Sequence, residues 1–289
     1  MSETFDRRLT PARPEIAAAY LKGRVTADRY VEGAAMEVRD CVVDLRRAPR
    51  PDAAVDTQVL YGERVTVYDE EEGWAWAQLA RDNYVGWIAA NTLWCELSRA
   101  THRVAVPRTF IYPAANIKLP PLGALPLGAE VAIVEERDGF AVTPELGFIY
   151  RKHLAPVGAR ALDFVAVAET LLGAPYLWGG KSVMGVDCSG LVQVSLLMAG
   201  IEAPRDTDMQ EAALGAPLAH GAPLQRGDIV FWKGHVGVMR DATVLLHANA
   251  THMQVTSEPL EAVRARNEAA GAGPVTSVRR LAERKAFPA

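Results

Sequence analysis

The amino-acid sequence predicts an all-β N-terminal half followed by an α+β domain. Three observations predict it. Short β-branched and aromatic runs, broken by turn residues, dominate the chain from about residue 35. These runs recur, with segments between 61 and 93 echoed between 127 and 154, as if one small barrel occurred twice. Helical periodicity begins only after Pro156-Val157-Gly158, where helices precede a run of strands, the order of an α+β domain.

The elements follow in order. Residues 1–34 read as an extension with one helix, from about Pro14 to Lys22. Residues 35–98 form the first barrel. Its strands include Val65-Thr66-Val67-Tyr68, Trp74-Ala75-Trp76-Ala77 and Tyr84-Val85-Gly86-Trp87-Ile88. Between them, Asp69 to Gly73 and Ala80 to Asn83 are turn material, the acidic run solvating a hairpin tip. Residues 99–157 form the second copy. Tyr61-Gly62-Glu63-Arg64-Val65 is echoed by Leu127-Gly128-Ala129-Glu130-Val131, Gly73-Trp74-Ala75 by Gly139-Phe140-Ala141, and Gly86-Trp87-Ile88 by Gly147-Phe148-Ile149. These features resemble bacterial SH3-like barrels in tandem. Residues 158–289 are the α+β domain. A helix over 161–173 presents Leu162, Val165, Ala166 and Leu172 as its apolar face, and Gly173 and Pro175 end it. A second helix runs from Cys188 to Gly200. Strands follow at Asp228 to Trp232, His235 to Arg240, Thr243 to Ala248 and Met253 to Thr256. A short helix near Leu260 to Arg266 and a strand near Val275 to Arg279 close the domain.

Composition narrows the function. With 289 residues, 49% hydrophobic and 23% charged, the chain can bury enough surface to fold, so general disorder is excluded. Lys and Arg number 31 against 35 Asp and Glu, with no basic block, which gives no support to a nucleic-acid partner. Three cysteines make no disulfide framework, and none forms a CxxC pair. No apolar stretch reaches the ~18–20 residues of a membrane span. The first residues lead into no apolar signal core, which places the protein in the cytoplasm as an expectation.

The chemistry concentrates around Cys188. Asp187 is a good N-cap, so Cys188 falls in the first helical turn, where unpaired N–H groups and the helix dipole favour a thiolate. The same N–H groups suit an oxyanion. Gly190 keeps the turn slim, so that a substrate backbone can approach the sulfur. The competing reading is a buried core cysteine, disfavoured by its place between Asp and Ser at a helix start. His235 begins a strand after a glycine turn, and His247 ends the next strand. In a hairpin these ends are neighbours, so His235 pairs with Cys188 and His247 orients His235. His252, in a loop, is the strongest decoy. One Cys and two His with water also describe an open zinc site, but no short ligand pair is present, so no metal and no cofactor are expected.

The motifs Tyr176-Leu177-Trp178-Gly179-Gly180, Asp187-Cys188-Ser189-Gly190-Leu191-Val192, Pro204-Arg205-Asp206-Thr207, Arg226-Gly227-Asp228-Ile229-Val230-Phe231, Gly234-His235-Val236-Gly237-Val238 and Leu246-His247-Ala248 together resemble an NlpC-type papain-like cysteine peptidase over about 161–280. The resemblance implies a papain-like α+β fold and a catalytic triad of Cys188, His235 and His247. It implies cleavage of bacterial cell-wall (murein) peptides between D-γ-glutamate and a diamino acid. Members with preceding SH3-like barrels are similar to γ-D-glutamyl-L-diamino acid endopeptidases that require a free N-terminal L-alanine. In that pattern Asp187 and Tyr176 hold the substrate ammonium, while Ser189, Asp206 and Thr207 line the peptide site. Trp178 is a further contact or plain packing. Tyr84 and Asp56 of the first barrel occupy places that close one end of the cleft, although Tyr84 is equally a barrel-core residue. With no leader, imported wall fragments are the expected substrate and recycling the expected role. The competing readings are another papain-like amidase or acyltransferase, and a wall-binding module with no activity.

Overall fold

The computed structural model describes residues 5–282. The chain divides into two units, Met1–Ala159 and Arg160–Ala289.

In the first unit the expected helix near Pro14 is absent. Ala12–Arg13 and Ile16–Ala18 are instead short strands, the latter paired in parallel with Arg29–Val31, and only Ala19–Leu21 makes a 3-10 turn. Packing overrides the helix propensity of the alanines. Ile16 is buried against Trp76 and Trp87, and the Arg13 guanidinium lies 4.4 and 4.8 Å from the same two indole rings. Arg13 also pairs with Asp69, as does Arg29. Part of the acidic run is thus engaged in ion pairs rather than only solvating a tip. The tip itself is Glu72 and Gly73, both at positive φ (48° and 82°).

The first copy is a seven-stranded sheet. Its order is Leu93–Trp94, Ala34–Val38, Arg64–Glu71, Trp74–Leu79, Val85–Ala89, Val42–Arg46, Val55–Leu60, wrapped on a core that includes Val38, Leu45, Val59, Leu79 and Ile88. The region expected to form a second barrel is built differently. Its strands lie in two sheets, one of five strands spanning Arg108–Tyr150 and one of three made by His102–Val104, Glu130–Val131 and Leu154–Pro156. Both contribute to one core around Val104, Leu125, Val131 and Ile149. A second barrel like the first is therefore not shown. The echo survives in the turns: Gly62 and Gly128 have φ of 80° and 90°, and Asp138-Gly139 repeats the conformation of Glu72-Gly73.

The second unit is α+β. Helix α1, Phe164–Glu169, is capped by Asp163, whose carboxylate accepts from the N–H groups of Val165 and Ala166. The cap shifts the helix start past Leu162, which is 99% exposed. The buried face is Phe164, Val165, Ala168 and, just beyond the helix, Leu171, not the Leu162 and Leu172 set that periodicity suggested. Helix α2, Cys188–Met198, is buried along nearly its whole length. Helix α3 is Thr207–Ala213 and α4 is Leu260–Ala269. A six-stranded antiparallel sheet runs Ala216–Pro217, Ser277–Arg280, Ile229–Trp232, His235–Met239, Val244–Asn249, Gln254–Pro259. Phe164, Val165, Val192 and Leu196 share a buried cluster with Ile229, Phe231, Val236 and Val238, which seats α2 against the sheet. Among the described residues no helix is long and apolar enough to cross a membrane.

Candidate active site

The site is built where the first turn of α2 meets the strand beginning at His235. Asp187 caps α2, its Oδ1 accepting from Gly190 N–H at 2.7 Å. Cys188 follows, 7% exposed. The Val236 N–H donates to the Cys188 sulfur, His235 immediately precedes Val236 in that strand, and Thr207 Oγ1 lies 3.9 Å from the sulfur. His235–Met239 and Val244–Asn249 pair as the antiparallel hairpin the sequence suggested, with Val238 opposite Leu246. His235 Nε2 then lies 2.8 Å from His247 Nδ1, the rings 5.0 Å apart, and the Trp232 indole lies 5.7 Å from the His235 ring.

Electrostatics corrects one expectation. Burial pushes the Cys188 thiol up to about 11 and, followed by the nearby Asp187 charge, outweighs the Val236 and Thr207 hydrogen bonds. Burial, then His247, drives His235 down to about 3. Burial thus moves each group, taken alone, toward its neutral form. A thiolate forms by proton transfer within the pair, each new charge then stabilising the other.

The remaining sequence-derived residues fall into three places. Asp187 and Ser189 sit in a buried clamp centred on Arg205. Arg205 binds Asp187 through both terminal nitrogens (3.0 Å to Oδ1, 2.7 Å to Oδ2) and reaches Ser189 Oγ at 2.7 Å. Gly179 N–H and Ser189 Oγ donate to the same carboxylate. The Asp187 carboxylate thus accepts five hydrogen bonds with its charge matched by Arg205, and the Ser189 hydroxyl takes part in the same clamp. Thr207 lies against the sulfur, and Tyr176 is within reach of the Cys188 and Asp187 charges. Burial, then the Cys188 and Asp187 charges, raises the Tyr176 phenol to about 12, which keeps it protonated. Asp206 immediately precedes α3 and is half-exposed. Trp178 is 66% exposed, which excludes plain packing. In the first unit, Tyr84 belongs to the core under the seven-stranded sheet at 4% exposure, and Asp56 is ion-paired with Arg47 at 2.6 Å. Tyr84 there is the packing residue that was its competing reading.

Gly190 also has a different cause from the one expected. A Cβ at this position would lie 2.2 Å from the Gly180 carbonyl oxygen. The glycine admits the chain's own backbone, which ties the Gly179-Gly180 turn to α2.

Three groups that the sequence reading did not assign complete the site. Arg205 stood inside a quoted motif, but its partner lies eighteen residues earlier. Glu258 Oε1 is 2.8 Å from His247 Nε2, and Arg266 binds both Glu258 oxygens at 2.7 and 2.8 Å. Strand alternation puts Glu258 on the face of Thr256, which sits opposite His247, and that spacing was the available signal.

A nucleophile at a helix N-terminus, an imidazole on the facing strand and a second polar residue orienting it define a papain-like cysteine hydrolase. Comparison with known proteins agrees. The NlpC/P60 family model matches residues 173–272, and a model of the bacterial dipeptidyl-peptidase Sh3 domain matches residues 45–93. The chain is 31% identical over 229 residues to the γ-D-glutamyl-L-lysine dipeptidyl-peptidase of Bacillus subtilis (strain 168), over 69% of this chain and 74% of that protein. It is 25% identical over 247 residues to dipeptidyl-peptidase 6 of Lysinibacillus sphaericus, over 76% and 89%. A crystal structure of an NlpC/P60 family protein from Bacillus cereus ATCC 10987 superposes with a TM-score of 0.70 at 20% identity, over 85% of this chain and 99% of that one. The chain belongs to the NlpC/P60 family and carries its cysteine peptidase domain, with an adjoining SH3-like domain.

Proposed function

We propose that this protein is a cysteine endopeptidase acting on peptidoglycan peptides, and that it cleaves the bond between γ-D-glutamate and a diamino acid in peptides with a free N-terminal L-alanine. The observation that carries the hydrolase reading is the His235 Nε2 to His247 Nδ1 contact of 2.8 Å behind a cysteine that opens a helix. The γ-D-glutamyl specificity draws support from the similarity to the γ-D-glutamyl-L-lysine dipeptidyl-peptidase of Bacillus subtilis.

In the reaction, His235 takes the Cys188 proton as the sulfur bonds to the γ-carbonyl carbon. The Gly190 N–H is committed to Asp187 Oδ1 and the Leu191 N–H to the Asp187 carbonyl, so the Cys188 and Ser189 N–H groups serve the oxyanion. His235 then gives its proton to the leaving amine as the C–N bond breaks. Water, deprotonated by His235, hydrolyses the thioester and releases the γ-carboxylate and the thiol.

The free-amine preference is carried over from the resemblance to peptidases that require a free N-terminal L-alanine. Because Arg205 already matches the Asp187 charge, we assign the ammonium to the Tyr176 phenol oxygen, with Asp206, half-exposed at the start of α3, as the candidate acid. The 99–157 region is read as a diverged copy of the SH3-like module on its repeated turns. Cytoplasmic recycling of imported fragments remains our proposed setting. The test is product analysis on L-Ala-γ-D-Glu-meso-diaminopimelate and its N-acetylated form. Release of L-Ala-γ-D-Glu from the first alone supports the reading. Equal cleavage of both refutes the amine requirement, and cleavage elsewhere refutes the bond assignment.

A further inference from the structure

The relay does not end at His247. Its outer nitrogen, Nε2, meets Glu258 Oε1 at 2.8 Å, and that carboxylate is gripped through both oxygens by Arg266. His247 is 1% exposed, so its nitrogens answer to protein groups rather than to bulk water. The groups facing Glu258 are His247, Arg266 and His252, whose Nε2 stands 3.5 Å from Oε1. Asn249 Nδ2 also approaches His247 Nε2 at 3.2 Å, but it donates to Thr256 Oγ1 at 2.7 Å while Oδ1 accepts from the His252 N–H.

These contacts determine where each proton sits. A carboxylate accepts only. The Arg266 bonds, and then the His247 bond, hold Glu258 down to about 2, so it stays ionised throughout the working range. His247 Nε2 must therefore carry hydrogen. A neutral His247 then has its lone pair on Nδ1, which accepts from His235 Nε2–H. The lone pair of His235 is thereby placed on Nδ1, the nitrogen left for the Cys188 proton. A neutral imidazole has two tautomers, and only this one is a base toward sulfur.

We propose that Glu258, clamped by Arg266, is a positioning residue that selects the tautomers of His247 and His235 and so presents the unprotonated Nδ1 of His235 to Cys188. The proposal rests on the cysteine peptidase reading but not on the identity of the peptide. Arg266 has a second consequence. It offsets the Glu258 charge, so the carboxylate orients the relay without drawing a permanent proton onto His247.

The experiment uses the full chain labelled with 15N-histidine. Long-range proton–nitrogen correlation spectra of the unliganded protein at pH 7 should show His235 and His247 both protonated at Nε2 only. Protonation of His235 at Nδ1 overturns the proposal outright, with no variant needed. Glu258→Gln, whose amide can donate as well as accept, should add the Nδ1–H form of His247. It should also slow alkylation of Cys188 by iodoacetamide, read site by site by mass spectrometry, by roughly 10–100-fold. On the tripeptide, kcat should fall by a similar factor with KM unchanged, and Glu258→Asp should recover part of it. An unchanged alkylation rate in a folded Glu258→Gln protein also overturns the proposal. If the wild type shows the stated tautomers and alkylation but leaves the tripeptide intact, the substrate reading falls and the positioning role stands.

Discussion

Replacing Asp187 by Asn tests how the nucleophile's helix is held. The carboxylate sits between Gly179, Gly190, Ser189 and Arg205, and Arg205 is 1% exposed. Asparagine keeps one oxygen for Gly190, so the cap itself loses little. The other position becomes an amide donor facing the Arg205 and Gly179 donors. That leaves a buried guanidinium without its counter-charge, a change that costs about 3–5 kcal/mol. Domains of this kind hold only about 5–15 kcal/mol in total, so the variant loses a large share. The assay is native-state hydrogen exchange of the full chain, read at the α2 amides of Val192–Leu196. At about 1.4 kcal/mol per decade, exchange should accelerate by roughly two to three and a half powers of ten. The double variant Asp187→Asn, Arg205→Met removes the orphaned charge and should recover at least about 2 kcal/mol of that loss, since a buried ion pair replaced as a unit is often near neutral. Acceleration below tenfold, or a double variant as poor as the sum of the singles, refutes the view of this pair as a mutually dependent clamp.

Other outcomes follow from the same structure. Cys188→Ala should abolish turnover while leaving the circular dichroism spectrum and Tm essentially unchanged; residual turnover would remove Cys188 as the nucleophile. His235 is held far below its ordinary 6.5, down to about 3, so the unfolded chain binds its proton first as pH falls. Its contribution to stability is complete above pH 6.5 and is lost between there and pH 3. Urea midpoints measured across that window should fall with acid, and His235→Gln should lower the slope by about one proton; an unchanged slope would contradict the burial argument. Leu162→Ser should alter stability by less than about 0.5 kcal/mol, while Leu171→Ala should cost about 2–5 kcal/mol. Thermal unfolding separates these, and the reverse order would restore the α1 face that periodicity suggested.

Much of the catalytic unit was legible because its signals are local. Asp before Cys is a helix start, a glycine turn before His235 is a strand start, and hairpin pairing follows from two short runs. The failures came where distant packing outweighed local preference. Ala17 and Ala18 lie in a strand because Ile16 reaches Trp76 and Trp87. Leu162 fits a 3.6-residue period but lies before the Asp163 cap, which alone sets the helix start. Gly190 looked like room for substrate, whereas the Gly180 carbonyl occupies that space.

Residue order by itself determined that a thiol would open a helix and that two imidazoles would lie on neighbouring strands of a hairpin, although His247 falls inside its strand rather than at its end, since capping and hairpin chemistry act over a few residues. Only the tertiary structure decided the direction in which that thiol's acidity moves and the partners of the surrounding charges. Burial raises the Cys188 pKa against the helix dipole, Arg205 consumes the acid beside it, and Glu258 dictates which nitrogen of each histidine holds a proton. Those are effects of desolvation and of long-range ion pairing, which depend on groups brought together from far along the chain.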